Sequence, residues 1–136
     1  MIKNNIKQAY GENTTCDFKE AVERKQPKSW LKSVSAFANT AGGVLVFGVN
    51  DDGETIGLEN AKADAKFISD RIKVFMDPVP EFELVTKPTE NGRFILELHV
   101  LAGDMTPYYY VNSGTHSAFI RIGYESVITN AHQLSA

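Results

Sequence analysis

Hydrophobic positions along this chain change period several times, and each change predicts an element. Thr15 to Lys19 alternates, with Cys16 and Phe18 on one side and Asp17 and Lys19 on the other, which is the pattern of a short strand. From Lys28 to Thr40, Leu31, Val34, Phe37 and Ala38 recur at helical spacing. Pro27 stands just ahead of that stretch, and Ala41-Gly42-Gly43 just behind it is a helix stop. Val44 to Val49 is apolar at nearly every position, as in a strand covered on both faces. Asn50-Asp51-Asp52-Gly53 is turn chemistry, and Thr55 to Leu58 predicts a short returning strand.

A second helix is predicted from Ala61 to Met76, with Ala65, Ile68, Ile72 and Phe75 on one stripe and Pro78 and Pro80 stopping it. Glu81 to Lys87 alternates through Phe82 and Leu84. Asn91-Gly92 closes a hairpin with Arg93 to Leu101, where Phe94, Leu96, Leu98 and Val100 share a face. Tyr108 to Val111 and Ala118 to Ile122 predict two more strands joined around Asn112-Ser113-Gly114. The expected fold class is α/β or α+β, with two helices packed on a mixed sheet of about six strands. Repeats, low-complexity stretches and long linkers are absent, so residues 1–136 read as one domain. The ending after Thr129-Asn130, either of which suits a helix cap, reads as the N-terminal part of a longer protein.

Composition narrows the class. The 136 residues have room for a single core, and 43% hydrophobic with 23% charged residues excludes a disordered tail or a fibre. The longest apolar stretch, Gly42 to Val49, is far short of the roughly 20 residues a membrane-spanning helix needs. The opening Met1 to Lys7 lacks the apolar core of a secretory signal. One cysteine, Cys16, forms no internal disulfide and suits a reducing cytoplasm, so the expected setting is cytoplasmic and away from membrane. The net charge of −3 opposes a general polyanion binder, but its distribution is uneven. Residues 1–32 hold seven basic and four acidic side chains, an excess of +3; the remainder holds seven and thirteen, or −6. That basic N-terminal third is suited to meeting phosphates; a solvated helix face explains it as well.

Several familiar chemistries fall away. Gly48-x4-Gly53 has P-loop glycine spacing, but Glu54 stands where lysine is required. The same stretch mimics a calcium loop through Asn50, Asp52 and Glu59, yet Gly48 occupies the first ligand position after a strand. His99, His116 and His132 form no zinc spacing, and no Gly-x-Ser-x-Gly elbow is present.

Carboxylates near turns remain. If the strands around Asp17 and Val44 to Val49 are neighbours, Glu12, Asp17 and Asp51 gather at one sheet edge. There they would suit Mg²⁺ or Mn²⁺ and phosphodiester chemistry; against this, Asn-Asp-Asp-Gly is first a good turn. Asn39 and Thr40, at a helix end, either hydrogen-bond a ligand or hold the Asp51 turn. Tyr108-Tyr109-Tyr110 offers rings to bases or to a half-buried sheet edge. Arg121 projects opposite to Ile120 and Ile122, toward a phosphate or a carboxylate.

Glu12-x4-Asp17-Phe18-Lys19-Glu20, then Ser35-Ala36-Phe37-Ala38-Asn39-Thr40-Ala41-Gly42-Gly43 running through Gly48-Val49-Asn50-Asp51-Asp52-Gly53, then Ile56-Gly57-Leu58, together resemble the Alba-like domain of the Schlafen family. Ala118-Phe119-Ile120-Arg121-Ile122-Gly123 is similar to its closing strand, so the likeness runs from Gly11 to Ser126. Bacterial relatives carry this domain at the N-terminus of transcriptional regulators or divergent AAA ATP-binding proteins. The resemblance implies an α/β fold and a role with nucleic acid. In vertebrate members the domain is a nuclease for transfer RNA and related RNA, with an acidic triad. By motif, Glu12, Asp17 and Asp51 match that triad, as catalytic residues and Mg or Mn ligands. Asp17 replaces the usual Glu and Asn50 an Asp, which shortens one ligand and removes a charge. The vertebrate enzymes clamp RNA with two copies of the domain, so a comparable groove here requires a homodimer.

Three readings follow. The first is a nucleic-acid-binding module of a bacterial regulator, with Lys19, Arg24, Lys25, Lys28, Lys32 and Arg121 contacting DNA or RNA. The second is a Mg- or Mn-dependent endoribonuclease acting on tRNA-like RNA through Glu12, Asp17 and Asp51. The third is a dimerising scaffold.

Overall fold

The computed structural model describes residues 15–129, in two helices and eight strands. In chain order these are β1 (Cys16–Lys19), α1 (Lys28–Asn39), β2 (Gly43–Phe47), α2 (Ala61–Phe75), β3 (Met76–Asp77), β4 (Phe82–Pro88), β5 (Phe94–Val100), β6 (Tyr109–Asn112), β7 (Thr115–Ile122) and β8 (Glu125–Thr129). Glu12 and Asn130 lie outside the described residues. Among the described residues no helix is long and apolar enough to cross a membrane.

The expected class holds, but the strands form two four-stranded sheets in place of one sheet of six. Their orders are β1-β2-β5-β4 and β3-β6-β7-β8. The reason lies in α1. Its periodic positions predict one apolar stripe, yet Ser33 through Asn39 are buried without a break. A helix covered all round needs a layer on each side. The small residues Ser33, Ser35, Ala36 and Ala38 let both sheets approach, and α1 contacts β2 and β5 of one and β6, β7 and β8 of the other.

The stop after α1 works as its residues predict. Gly42 takes φ +78 and its N–H bonds the Phe37 carbonyl at 2.8 Å. Gly43 has no room for a side chain, since a Cβ there would lie 2.7 Å from the Phe37 ring. The chain then enters β2, which pairs in parallel with β1, Asp17 opposite Leu45. The two strands are therefore neighbours, joined through α1 as parallel strands require.

β2 is covered on both faces. Leu45 and Phe47 join the main core with Trp30, Phe37, Leu96 and Leu98; Val44, Val46 and Val49 pack with Ile95, Cys16 and Phe18 on the reverse. That reverse face also holds Glu97, 2% exposed, with Lys87 Nζ at 3.0 Å and His99 Nε2 at 2.9 Å. The alternation of β5 predicts its core face and leaves this buried acid unannounced.

The predicted strand Thr55 to Leu58 reduces to two isolated bridges, Val49 with Thr55 and Leu58 with Phe94. Asn50 explains this. Its Oδ1 accepts from the N–H groups of Asp52 (3.0 Å) and Glu54 (2.9 Å), so it closes the turn locally and takes the place of ladder pairing. β3 and β8 go beyond the sequence reading: β3 follows α2 without a break, and β8 returns after the short Gly123-Tyr124 turn.

Candidate nucleic-acid interface

Asp17, on β1, points to the same side as Leu45, toward α1. There it meets Arg121 of β7. Arg121 Nη1 donates to Asp17 Oδ2 at 2.8 Å and Nη2 donates to Oδ1, a two-pronged ion pair. Ser33 Oγ donates to Asp17 Oδ2 at 2.9 Å and lies 3.0 Å from Ser126 Oγ, which also accepts from Arg121 Nη1 at 3.0 Å. The guanidinium lies over the Phe37 ring at 5.2 Å, and its side chain is 5% exposed. One network thus ties β1, α1, β7 and β8 together.

Above that network lies a cleft of ≈ 430 Å³ between β1, the first turns of α1 and the β7–β8 turn. Lys19, Ser29 and Lys32 line it together with Tyr124 and Glu125. Lys19 is 3.4 Å from Glu23. The Glu23 carboxyl is held below its usual range, first by the hydrogen bond from Ser29 and then by Lys19 and Lys32. A second groove of ≈ 550 Å³ adjoins it across Ser29 and Lys32, lined by Lys25, Lys28, Phe75 and Tyr110. Lys28 Nζ sits 5.9 Å from the Tyr110 ring centre. Among the described residues, Lys25, Lys28 and Lys32 make no salt bridge.

The six expected phosphate contacts therefore separate. Lys19, Lys25, Lys28 and Lys32 line the two clefts. Arg24 is bonded to Asp64 at 2.7 Å and lies over Phe67 at 4.5 Å, outside both. Arg121 serves a carboxylate, one of the two roles its position in the sequence allows.

Of the three expected metal ligands, Glu12 lies outside the described residues; among those described, no group of three His, Cys, Asp or Glu side chains gathers. Both Asp17 oxygens face Arg121 and one also accepts from Ser33, so a cation would have to displace a guanidinium. Asp51 is exposed on the Asn50–Gly53 turn and lines neither cleft. Asp17 and Asp51, the two described members of the set, share no site. Cys16 is no nucleophile either: burial, then the charges of Asp17 and Glu97, push its thiol up to about 12.

Asn39 holds neither a ligand nor the Asp51 turn. Its Nδ2 donates to the Phe119 carbonyl at 2.9 Å and the Tyr108 carbonyl at 3.1 Å, and its Oδ1 accepts from the Tyr108 N–H at 2.7 Å. Ser35 adds bonds to the same two residues. Tyr108 and Tyr110 are buried, and Tyr109 meets His116 edge-on at 5.3 Å. The exposed aromatic of the site is Tyr124, which the sequence reading missed; its one signal was an aromatic in a glycine turn.

The family model for Schlafen, AlbA_2 matches residues 12–130. An uncharacterized ATP-binding protein of Ureaplasma parvum serovar 3 is 30% identical over 90 residues; the match covers 63% of this chain and 23% of that protein. The solution structure of the N-terminal domain of an ATP-dependent DNA helicase RecG-related protein from Nitrosomonas europaea superposes with a TM-score of 0.63. It has 24% identity, over 90% of this chain and 88% of that one. The crystal structure of the DIP2311 protein from Corynebacterium diphtheriae gives 0.61 at 20% identity, over 91% of this chain and 23% of that one. At these identities the two structures establish the shared fold alone. With the family model running almost from end to end, the chain belongs to the Schlafen AlbA_2 family.

Proposed function

We propose that this domain is a nucleic-acid-binding module, with Lys19, Lys25, Lys28 and Lys32 contacting phosphates, and that it serves a bacterial regulator. The observation that carries this reading is the run of three lysines that make no salt bridge among the described residues, along two adjoining clefts at the start of α1. Lysines gathered along one surface of a chain of net charge −3 concentrate positive potential there, where counterion release drives binding. ATP-binding and helicase-related relatives agree with a domain that brings a larger protein to nucleic acid.

The test is a titration of labelled DNA and RNA at low salt, with Mn²⁺ or with chelator, comparing the native chain with a Lys28→Gln/Lys32→Gln variant. Binding that weakens in the variant, with the nucleic acid left intact, supports the module. Absence of binding at low salt overturns it, and Mn²⁺-dependent cutting would replace it with a nuclease.

A further inference from the structure

Tyr124 is 87% exposed at the turn between β7 and β8, the most exposed large hydrophobic side chain among the described residues. It adds almost nothing to the core, yet it lines the same cleft as Lys19 and Lys32. Its support is firm. Arg121, three positions earlier, is held by Asp17, and Ser126, two positions later, by Ser33 and Arg121. An aromatic ring on a pinned turn loses little freedom when something stacks on it.

The phosphate contacts open to this domain are few. Lys25, Lys28 and Lys32, with Lys19 shared with Glu23, give a salt slope of roughly −2 to −3 on a single strand, far below that of proteins that rely on charge alone. The rest of the surface is acidic, and Glu125 sits in the cleft itself. A ligand held here needs a second source of affinity. Base stacking on an aromatic supplies one, and only unpaired bases offer their faces to it. Duplex bases are already stacked on each other, and extruding one opposes binding. We infer that the cleft takes a single-stranded segment of RNA or DNA, with Lys19 and Lys32 on its phosphates and a base stacked on Tyr124. This rests on the nucleic-acid reading above and adds the strandedness of the ligand and the residue that selects it. Ile122 and Ile128, 57% and 64% exposed on the same hairpin, line neither cleft and offer the competing use of the hairpin, a protein contact. The lysines that line the cleft with Tyr124 favour the polyanion.

Fluorescence anisotropy of the intact chain with fluorescein-labelled oligothymidine and oligouridine of about 12 nucleotides, and with a duplex of equal length, tests this. The single strands are expected to bind at least about fivefold tighter than the duplex. Tyr124→Ala should weaken them by about five- to fiftyfold while leaving duplex affinity, salt slope and thermal unfolding unchanged. Tyr124→Phe should restore the affinity, since the ring does the stacking. A duplex bound as tightly as a single strand, or a Tyr124→Ala variant equal to the native chain, overturns the inference. So does a Tyr124→Ala variant that changes only the oligomeric state. If both probes bind and depend on Lys28 and Lys32 while Tyr124 is indifferent, the module stands and only its strandedness fails. If neither probe binds at low salt, both fall together.

Discussion

Asp17 and Arg121 stand 104 positions apart in the chain and close on each other in a two-pronged ion pair beneath the basic cleft. The arginine is 5% and the aspartate 21% exposed, so the pair is shielded from water and salt. Removing one partner strands the other charge. Asp17→Asn and Arg121→Met are each expected to lower stability by about 2–4 kcal/mol. The double variant should lose less than the two together, because the lone buried charge is gone. Urea denaturation of the four proteins measures the coupling, and strict additivity would remove the pair from the account of the fold.

Asn39 predicts a second large effect. It satisfies the Tyr108 N–H and two carbonyls from β6 and its approach and from β7, in a place water does not reach. Asn39→Ala leaves those groups without partners and should cost about 2–4 kcal/mol. Asn39→Asp turns the donor into an acceptor facing carbonyl oxygens and should cost at least as much. Equilibrium unfolding with an unchanged denaturant slope checks both; a loss under about 0.5 kcal/mol would mean the network is dispensable.

The basic residues should sort by their neighbours. Lys32→Gln removes an unpaired charge from both clefts and should reduce the slope of log affinity against log salt by about 0.7 to 0.9. Arg24→Gln, whose charge already faces Asp64, should leave that slope alone and show itself in thermal unfolding. Titrations at several salt concentrations separate the two, and equal slopes for both variants would contradict this division.

Cys16 gives the pH prediction. Its folded thiol holds its proton up to about 12, above the ordinary thiol value of 9.0 that the unfolded chain takes. Below pH 9 both states are protonated and the contribution to stability is complete. Between 9 and 12 the unfolded state releases a proton that the folded state keeps, so stability falls as pH rises. Cys16→Ala should flatten that part of the stability profile. At pH 8 the native thiol should alkylate many times more slowly than in urea; equal rates would show that the site is open.

How far the site was legible depends on which atoms each residue meets. Leu31, Val34 and Phe37 announce α1 because burial against any surface demands their spacing. That the helix is covered on two sides is carried by Ser33 and Ser35, whose small side chains read equally well as a polar face. Lys25, Lys28 and Lys32 were legible as a basic run. Arg24 and Arg121 looked the same in the sequence and differ only in having Asp64 and Asp17 across from them.

By itself the sequence determined both helices and most of the strands, the turn at Asn50, the glycine stop after α1 and the family, because each depends on residues near one another in the chain. Only the tertiary structure decided that the strands divide into two sheets, that Asp17 answers a guanidinium, that Asn39 joins a helix to β7 and to the approach of β6, and that Tyr124 shares a cleft with Lys19 and Lys32. Those outcomes are pairings across tens of residues, and a charge or an amide is defined by the partner that folding brings to it.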